Sequence, residues 1–377
     1  MTPRVLIDAT SLPPRPAGVG HYILNLVSRL SRRPDDIDLH VAVKASDAEV
    51  VRATAPGATL HETGVRSRPA RLAWEQTALP RLARRTGADL VHGPHYTLPV
   101  LGGTPGVVTF HDPTFFTDPE LHERAKVAYF RTMSRLTAER AARVIAVSRY
   151  ARSAAERFGR ADPARVDVVY LGIDLATYTA EPAHMEADDQ LRTALGVRRP
   201  YLLWVGTIEP RKDLPTLLEA FAPLAGGADH RLVVAGQHGW GVEPFEAALE
   251  RTGLGDRVIR TGYVTEPQKI ALYRGAEALV YPSIAEGFGI QVVEAMATGC
   301  PVVTTTGSAP EEVGGDAVLL VPPRDAAQLR IAIERIVGDP AERTRLRDAG
   351  RARARAFDWT RTADGTLGCY RRALGLR

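Results

Sequence analysis

Two facing, Rossmann-like, doubly wound α/β domains are the expectation for this chain, and three observations carry it. The 377 residues exceed what a single hydrophobic core usually supports. Short apolar runs alternate with amphipathic helical stretches on both sides of a polar segment at 178–196. Glycine-bearing turns join several of those runs to the helices that follow, the pattern of parallel strands with right-handed crossovers. The boundaries that follow are 1–177 for the first domain, 178–196 for a linker and 197–357 for the second. The helical tail at 358–377 has its own amphipathic register and is expected to cross back to the first domain.

Composition narrows the class. A hydrophobic fraction of 45% with 24% charged residues is that of an ordinary globular chain and excludes a disordered one. The net charge of +4 is spread without a dense block, so no nucleic-acid module is visible. Mild basicity fits anionic ligands or peripheral docking at the inner face of a membrane. Cys300 and Cys369 are too few and too far apart for a disulfide framework or a thiolate metal site, which points to a reducing compartment. The N-terminus enters an apolar run without a signal-peptide core, and no stretch reaches the roughly 18 apolar residues of a membrane span. The expected location is the cytoplasm.

The run RVLIDA at 4–9 reads as a buried strand, followed by a Pro/Gly loop and the helix HYILNLVSRL. Gly18 and Gly20 at that helix start either admit a phosphate or polar acceptor or form a plain tight turn. No full dinucleotide fingerprint is present, so NAD is not indicated. LHVAVKA supplies a second strand, 56–71 reads as polar and irregular, and LAWEQTALPRLARRTG reads as a helix. ADLVHGPHYTLP is another strand, ending in His92, Pro94, His95 and Tyr96, and GVVTF then feeds His111 and Asp112 into a loop. Ligands in doubly wound sheets bind at strand C-terminal ends, so His95, His111 and Asp112 are candidates, against the alternative of structural histidines. In VIAVSRYARSAAERFG, Ser148 is an N-cap that either faces the cleft or only caps its helix.

The second half restarts with PYLLWVG at 200–206, then a loop carrying Thr207, Arg211 and Lys212 before a strongly amphipathic helix. An adjacent guanidinium and ammonium beside a helix start suit a diphosphate; a solvated basic pair is the bland alternative. After the strand RVIRTG, Gly262 and Val264 belong to a loop placed to cover a nucleobase with backbone hydrogen bonds. The stretch 281–299, YPSIAEGFGIQVVEAMATG, sets Gly287 and Gly289 in a strand-to-helix turn, where backbone can approach a ligand and the helix start favours a phosphate. Glu286 and Glu294 at its two ends are repelled by such an anion and are read as acceptors for sugar hydroxyls.

Taken together, EGFGIQVVE (an E-x7-E motif), GTIEPRKDLPTLLEAF, GVGHY, TFHD, VIAVSRY and the FDW tail give a chain that resembles the retaining GT-B glycosyltransferases of family 4. These blocks span nearly the whole length in the family's order. The pairing of HGPHYTLP with TFHD is similar to a branch of bacterial polysaccharide mannosyltransferases and related hexosyltransferases. The resemblance implies a nucleoside diphosphate sugar as donor, a hydroxyl acceptor, and no metal or other cofactor. It implies that Glu294 binds the donor's ribose and Glu286 lies by its sugar, with the backbone at Gly287, Phe288 and Gly289 facing sugar and diphosphate. Arg211 and Lys212 then neutralise the leaving diphosphate, His111 lies at the reacting centre, and Gly18 and Gly20 line the cleft floor. Many members carry an arginine directly after the glycine that here is Gly206. This chain has Thr207 there, and Arg211 is expected to substitute. Two rival readings are a nucleotide-sugar epimerase of the same architecture and a non-catalytic nucleotide-sugar binding protein.

Overall fold

The computed structural model describes residues 2–13, 18–121, 124–179, 185–226 and 229–376. They divide into two units, Met1–Gly172 with Trp359–Arg377, and Ile173–Asp358. Each unit is built on one parallel sheet.

The first sheet has the order β3-β2-β1-β4-β5-β6-β7. Its strands are β1 (Arg4–Asp8), β2 (Asp38–Lys44), β3 (Thr59–Thr63), β4 (Leu90–Gly93), β5 (Gly106–Phe110), β6 (Arg143–Ala146) and β7 (Val166–Val168). The central strands are near-continuous apolar runs because helices cover both faces of a parallel sheet. β3 was not expected, since the sequence there reads as polar and irregular. It is an edge strand, paired to β2 alone, and its residues Thr59, Leu60, His61, Glu62 and Thr63 are half-buried or exposed, so it carries no apolar run. Residues 14–17 lie outside the described ones.

Helix Val19–Leu30 buries Tyr22, Ile23, Leu26, Val27 and Leu30, one stripe at helical spacing. Each such side chain gains about 1.5–3 kcal/mol from burial. Part of its cover is the tail helix Trp359–Ala373, which contributes Trp359, Ala363, Leu367, Cys369 and Tyr370 to the same core. Below that contact runs a buried polar chain. Tyr370 Oη is 2.6 Å from His92 Nδ1, His92 Nε2 is 2.8 Å from Thr109 Oγ1, and Thr109 Oγ1 is 3.0 Å from Tyr22 Oη. Both ring nitrogens of His92 are thus satisfied within the core, and burial pushes its pKa down to about 3.

The second sheet has the order β10-β9-β8-β11-β12-β13. Its strands are β8 (Tyr201–Val205), β9 (Arg231–Ala235), β10 (Val258–Gly262), β11 (Ala278–Tyr281), β12 (Val302–Thr305) and β13 (Leu319–Val321). Within the segment 178–196, read as a linker, residues 180–184 lie outside the described ones and Met185–Ala194 is a helix. That helix docks through its buried Arg192, whose Nη1 donates to Ala271 O at 2.7 Å. Three helices close the chain from 326 onward, Ala326–Gly338, Pro340–Ala354 and Trp359–Ala373.

At the C-terminal ends of β8 and β9 the backbones touch. A Cβ on Gly236, which has φ +150°, would stand 1.7 Å from Gly206 O. Gly236→Ala is therefore expected to cost about 3 kcal/mol, since the clash is with backbone and not with a side chain that can turn away. Urea unfolding reads this directly, and an unchanged midpoint would show that the two turns can separate freely.

Candidate functional site

In both sheets the strand order reverses beside the first strand, between β1 and β4 and between β8 and β11. Within each sheet, the C-terminal strand ends at such a reversal point are where doubly wound sheets take their ligands. The candidate residues are described unit by unit.

In the second unit, β8 leads through Gly206 and the half-buried Thr207 to the short turn Pro210–Lys212. Asp213 then takes φ +50° and opens helix Leu214–Ala225. β11 leads through 282–288 to Gly289, which has φ +82° and starts helix Ile290–Thr298 without a side-chain cap. The two loops meet through ion pairs. Glu286 Oε2 lies 2.7 Å from an Arg211 guanidinium nitrogen, and Glu286 Oε1 lies 2.6 Å from Lys212 Nζ. Tyr281 Oη donates to Glu286 Oε1 at 2.9 Å, and Arg211 also donates to Ala285 O and pairs with Glu209 at 2.7 Å. Glu286 is 6% exposed. Burial alone would raise its carboxyl pKa, but the charges of Arg211 and Lys212 outweigh that and hold it at about 2. Glu286 is ionised at neutral pH and has no proton to give. Burial lowers the Lys212 pKa, while Glu286 opposes that shift.

Glu294 is held in a second cluster, which the sequence reading did not foresee. Tyr178 Oη and Lys269 Nζ each reach Glu294 Oε1 at 2.8 Å, and Tyr273 Oη donates to Oε2 at 2.9 Å. Lys269 also pairs with Glu266 at 3.1 Å, and Tyr178 bonds the same Glu266. A carboxylate offers about four acceptor positions. Lys269 and Tyr273 fill two, and the one Tyr178 proton is shared between Glu294 and Glu266, so at least one position is left for a further O–H. Glu266, Lys269 and Tyr273 lie on one stripe of helix Glu266–Gly275, and that i, i+3, i+7 spacing was the signal available in the sequence.

The remaining donor-side candidates divide by role. Phe288 is 4% exposed, and its ring packs edge-on to Phe357 at 5.8 Å, so its side chain belongs to the core. Gly287 precedes it in the same turn. Gly262 has φ +69°, and the half-buried Val264 precedes Thr265, where the Gln268 side chain accepts from the Thr265 amide at 2.9 Å.

In the first unit, β5 ends at Phe110 and places His111, 8% exposed, just past its C-terminal end. His111 Nε2 donates to Pro94 O at 2.8 Å, which leaves Nδ1 as the acceptor nitrogen. Burial lowers its pKa to about 4 despite that bond and nearby Asp112, so the ring is neutral at physiological pH. Tyr22 packs edge-on to it at 4.7 Å. Asp112 turns its carboxylate to the Thr114 amide at 3.0 Å. His95 precedes Tyr96, which has φ +64°, and its ring meets Phe130 edge-on at 5.9 Å. Burial and His111 depress its pKa to about 3. Ser148 is fully buried, and its Oγ accepts from the Ala151 amide at 2.9 Å, so it caps helix Arg149–Arg157. Gly18 has φ +48° and precedes helix Val19–Leu30, while Gly20 is buried within it.

Two doubly wound parallel sheets, each with its polar residues at the point of strand reversal, define the GT-B class of fold. Family models agree with that class. "Glycosyltransferase Family 4" matches residues 16–177 and "Glycosyl transferases group 1" matches residues 188–353. O-antigen chain mannosyltransferase B of Escherichia coli is 29% identical over 94% of this chain and 96% of its own length. D-inositol 3-phosphate glycosyltransferase of Frankia alni is 37% identical, over 57% of this chain and 54% of its own. Among solved structures, sucrose-phosphate synthase of Thermosynechococcus elongatus superposes with a TM-score of 0.79 at 22% identity, covering 98% of both chains. Anabaena HepE, solved in complex with UDP-glucose, superposes with a TM-score of 0.76 at 19% identity, over 97% of this chain and 98% of its own. The chain is a GT-B glycosyltransferase, its first half of the family 4 type and its second of group 1. No helix among the described residues is long and apolar enough to cross a membrane.

Proposed function

We propose that this chain transfers a hexosyl unit, mannosyl or similar, from a nucleoside diphosphate sugar to a hydroxyl on a glycan, glycolipid or small natural product, with retention at the anomeric carbon. The observation that carries the reading is the Glu286 cluster, in which one guanidinium and one ammonium are held together beside the turn that holds Gly287 and Gly289. Two cations there suit a diphosphate, whose charge grows as the glycosidic bond breaks. In this proposal Arg211 and Lys212 meet that charge in place of a metal ion, so added chelator should leave turnover unchanged. The full-length likeness to a mannosyltransferase supports the sugar class, and the acceptor capacity left on Glu294 suits a ribose hydroxyl.

Glu286 is ionised but enclosed by its two cations, which makes it a poor covalent nucleophile. A front-face route follows, in which the leaving phosphate takes the acceptor's proton. His111 enters the proposal as a neutral hydrogen-bond acceptor through Nδ1.

A thermal-shift screen of GDP, UDP, ADP and dTDP sugars tests the donor class, because a ligand that binds only the folded state raises its unfolding temperature. One nucleotide series should stand out, and no shift with any would overturn the donor assignment. Proton NMR of the glycosylated product tests the stereochemistry, and an inverted anomer would overturn retention. Release of a free epimer from donor alone would favour an epimerase instead.

A further inference from the structure

Parallel strands are usually joined through a helix, but β4 and β5 are joined by 94–105 without one. Val91 and His92 point to opposite faces of the sheet, and His92 meets the tail helix, so Val91 faces the side that this connection covers. There the segment is a strap pinned between two helices. The Leu98 amide donates to Thr137 Oγ1 of helix Arg124–Arg140 at 3.3 Å. Gln76 of helix Arg68–Thr86 donates to Leu98 O at 3.1 Å and accepts from the Val100 amide at 2.8 Å. The Leu98 side chain lies against the sheet where glycines allow it. A Cβ on Gly93 would stand 3.0 Å from Leu98 Cδ2, and one on Gly106 would stand 2.7 Å from Leu98 Cδ1.

A strap fills less of that layer than a helix would, and a cavity of about 330 Å³ remains beside it. Pro80 and Ala83 wall it from one helix, Leu136 from the other, Leu98 and Val100 from the strap, and Val91 from the sheet. The volume falls in the range of small-molecule sites, roughly 300–1,000 Å³, and is about ten times the share of one water in the liquid. Aliphatic walls offer ordered water few hydrogen-bond partners, so an apolar occupant fits better. Three features narrow its chemistry. No aromatic side chain lines the cavity, which suits an aliphatic chain and gives no face for stacking a ring. The one charged residue in the lining is the exposed Arg140, one helical turn beyond Leu136. Its guanidinium makes no ion pair among the described residues, and the adjacent Glu139 is turned to Arg160 at 3.7 Å. Leu101, 87% exposed, is the one large apolar side chain exposed on the strap, too small a face to enter a bilayer.

We propose that this cavity binds the hydrocarbon chain of a free single-chain anionic amphiphile, a fatty acid in its carboxylate form, with the head group on Arg140. The site goes beyond the transferase reading, which gives the cavity's residues no role. Decanoate, butyrate and decyltrimethylammonium, each below its micelle concentration, test it by calorimetry on the full chain. Decanoate should bind with a negative heat-capacity change, the mark of buried apolar surface. Butyrate lacks the chain and decyltrimethylammonium has the wrong charge, so each should bind at least about 10-fold more weakly. Arg140→Glu should weaken decanoate about 3- to 30-fold, through one exposed charge pair lost and one repulsion gained. Arg140 is exposed, so this variant should keep the wild-type urea midpoint. Leu136→Trp narrows the cavity while leaving Arg140 in place, and should weaken decanoate as well. No decanoate binding by wild type, equal affinity in wild type and both variants, or equal binding of the anionic and cationic decyl chains overturns the site. A chain that ignores decanoate monomers but sediments with phosphatidylglycerol vesicles would show a membrane face instead, and would overturn it equally.

Discussion

Glu286→Ala should destabilise the second unit by about 3–5 kcal/mol in urea unfolding, the loss expected when one partner of a buried ion pair is removed. Arg211 and Lys212 are both buried, and both close on this one carboxylate. Arg211 would keep Glu209 and Ala285 O, but among the described residues Lys212 would keep only the Tyr281 hydroxyl as a hydrogen-bond partner. The same pairing sets a pH dependence. The carboxyl pKa is depressed from 4.5 to about 2 in the folded chain, so its stabilising contribution is complete above about 4.5 and is lost as pH falls through about 2. Between those values the wild type should lose stability more steeply than Glu286→Gln. A variant with the wild-type urea midpoint and the wild-type acid profile would show that the pair is not formed in solution.

The second large effect is on turnover. Lys212→Ala and Arg211→Ala should each remove about 2–4 kcal/mol of transition-state stabilisation, roughly a 30- to 1,000-fold fall in kcat/KM. The loss should fall mainly on kcat, because the diphosphate charge that these cations meet grows as the bond breaks. Each single variant leaves Glu286 paired with the other cation, so thermal midpoints should fall by less than in Glu286→Ala. Turnover unchanged in both variants would take the two residues out of the site.

Much of this architecture was legible because parallel strands covered on both faces are written as short apolar runs. RVLID, GVVTF, YLLWV, RLVVA and ALVY all stand as strands where those runs occur. β3 escaped because an edge strand needs no apolar run, only a neighbour to pair with. The helix Met185–Ala194 escaped because its polar surface hides an anchoring arginine.

At the site, Arg211, Lys212, Glu286 and Glu294 stood out from spacing alone, yet their mutual arrangement did not. Repulsion between a carboxylate and a phosphate is legible in the sequence and sets Glu286 away from the anion end. The attraction between Glu286 and the two cations becomes visible only once the loops after β8 and β11 are seen side by side. Tyr178, Tyr273 and Lys269 around Glu294 come from segments far apart in the chain, and only tertiary packing joins them. Ser148 was legible as a cap, the role its geometry confirms.

The route of the chain through its two units also sets an order on its biosynthesis. The second unit is continuous, whereas the first needs Trp359–Arg377 to finish its core. While the ribosome is still translating the second half, the stripe of Tyr22, Ile23 and Leu26 has no Trp359 or Tyr370 to lie against, and His92 Nδ1 has no tyrosine hydroxyl. The unit made first is therefore completed last, and its exposed apolar stripe is the surface that a nascent-chain chaperone would have to shield until the last helix emerges.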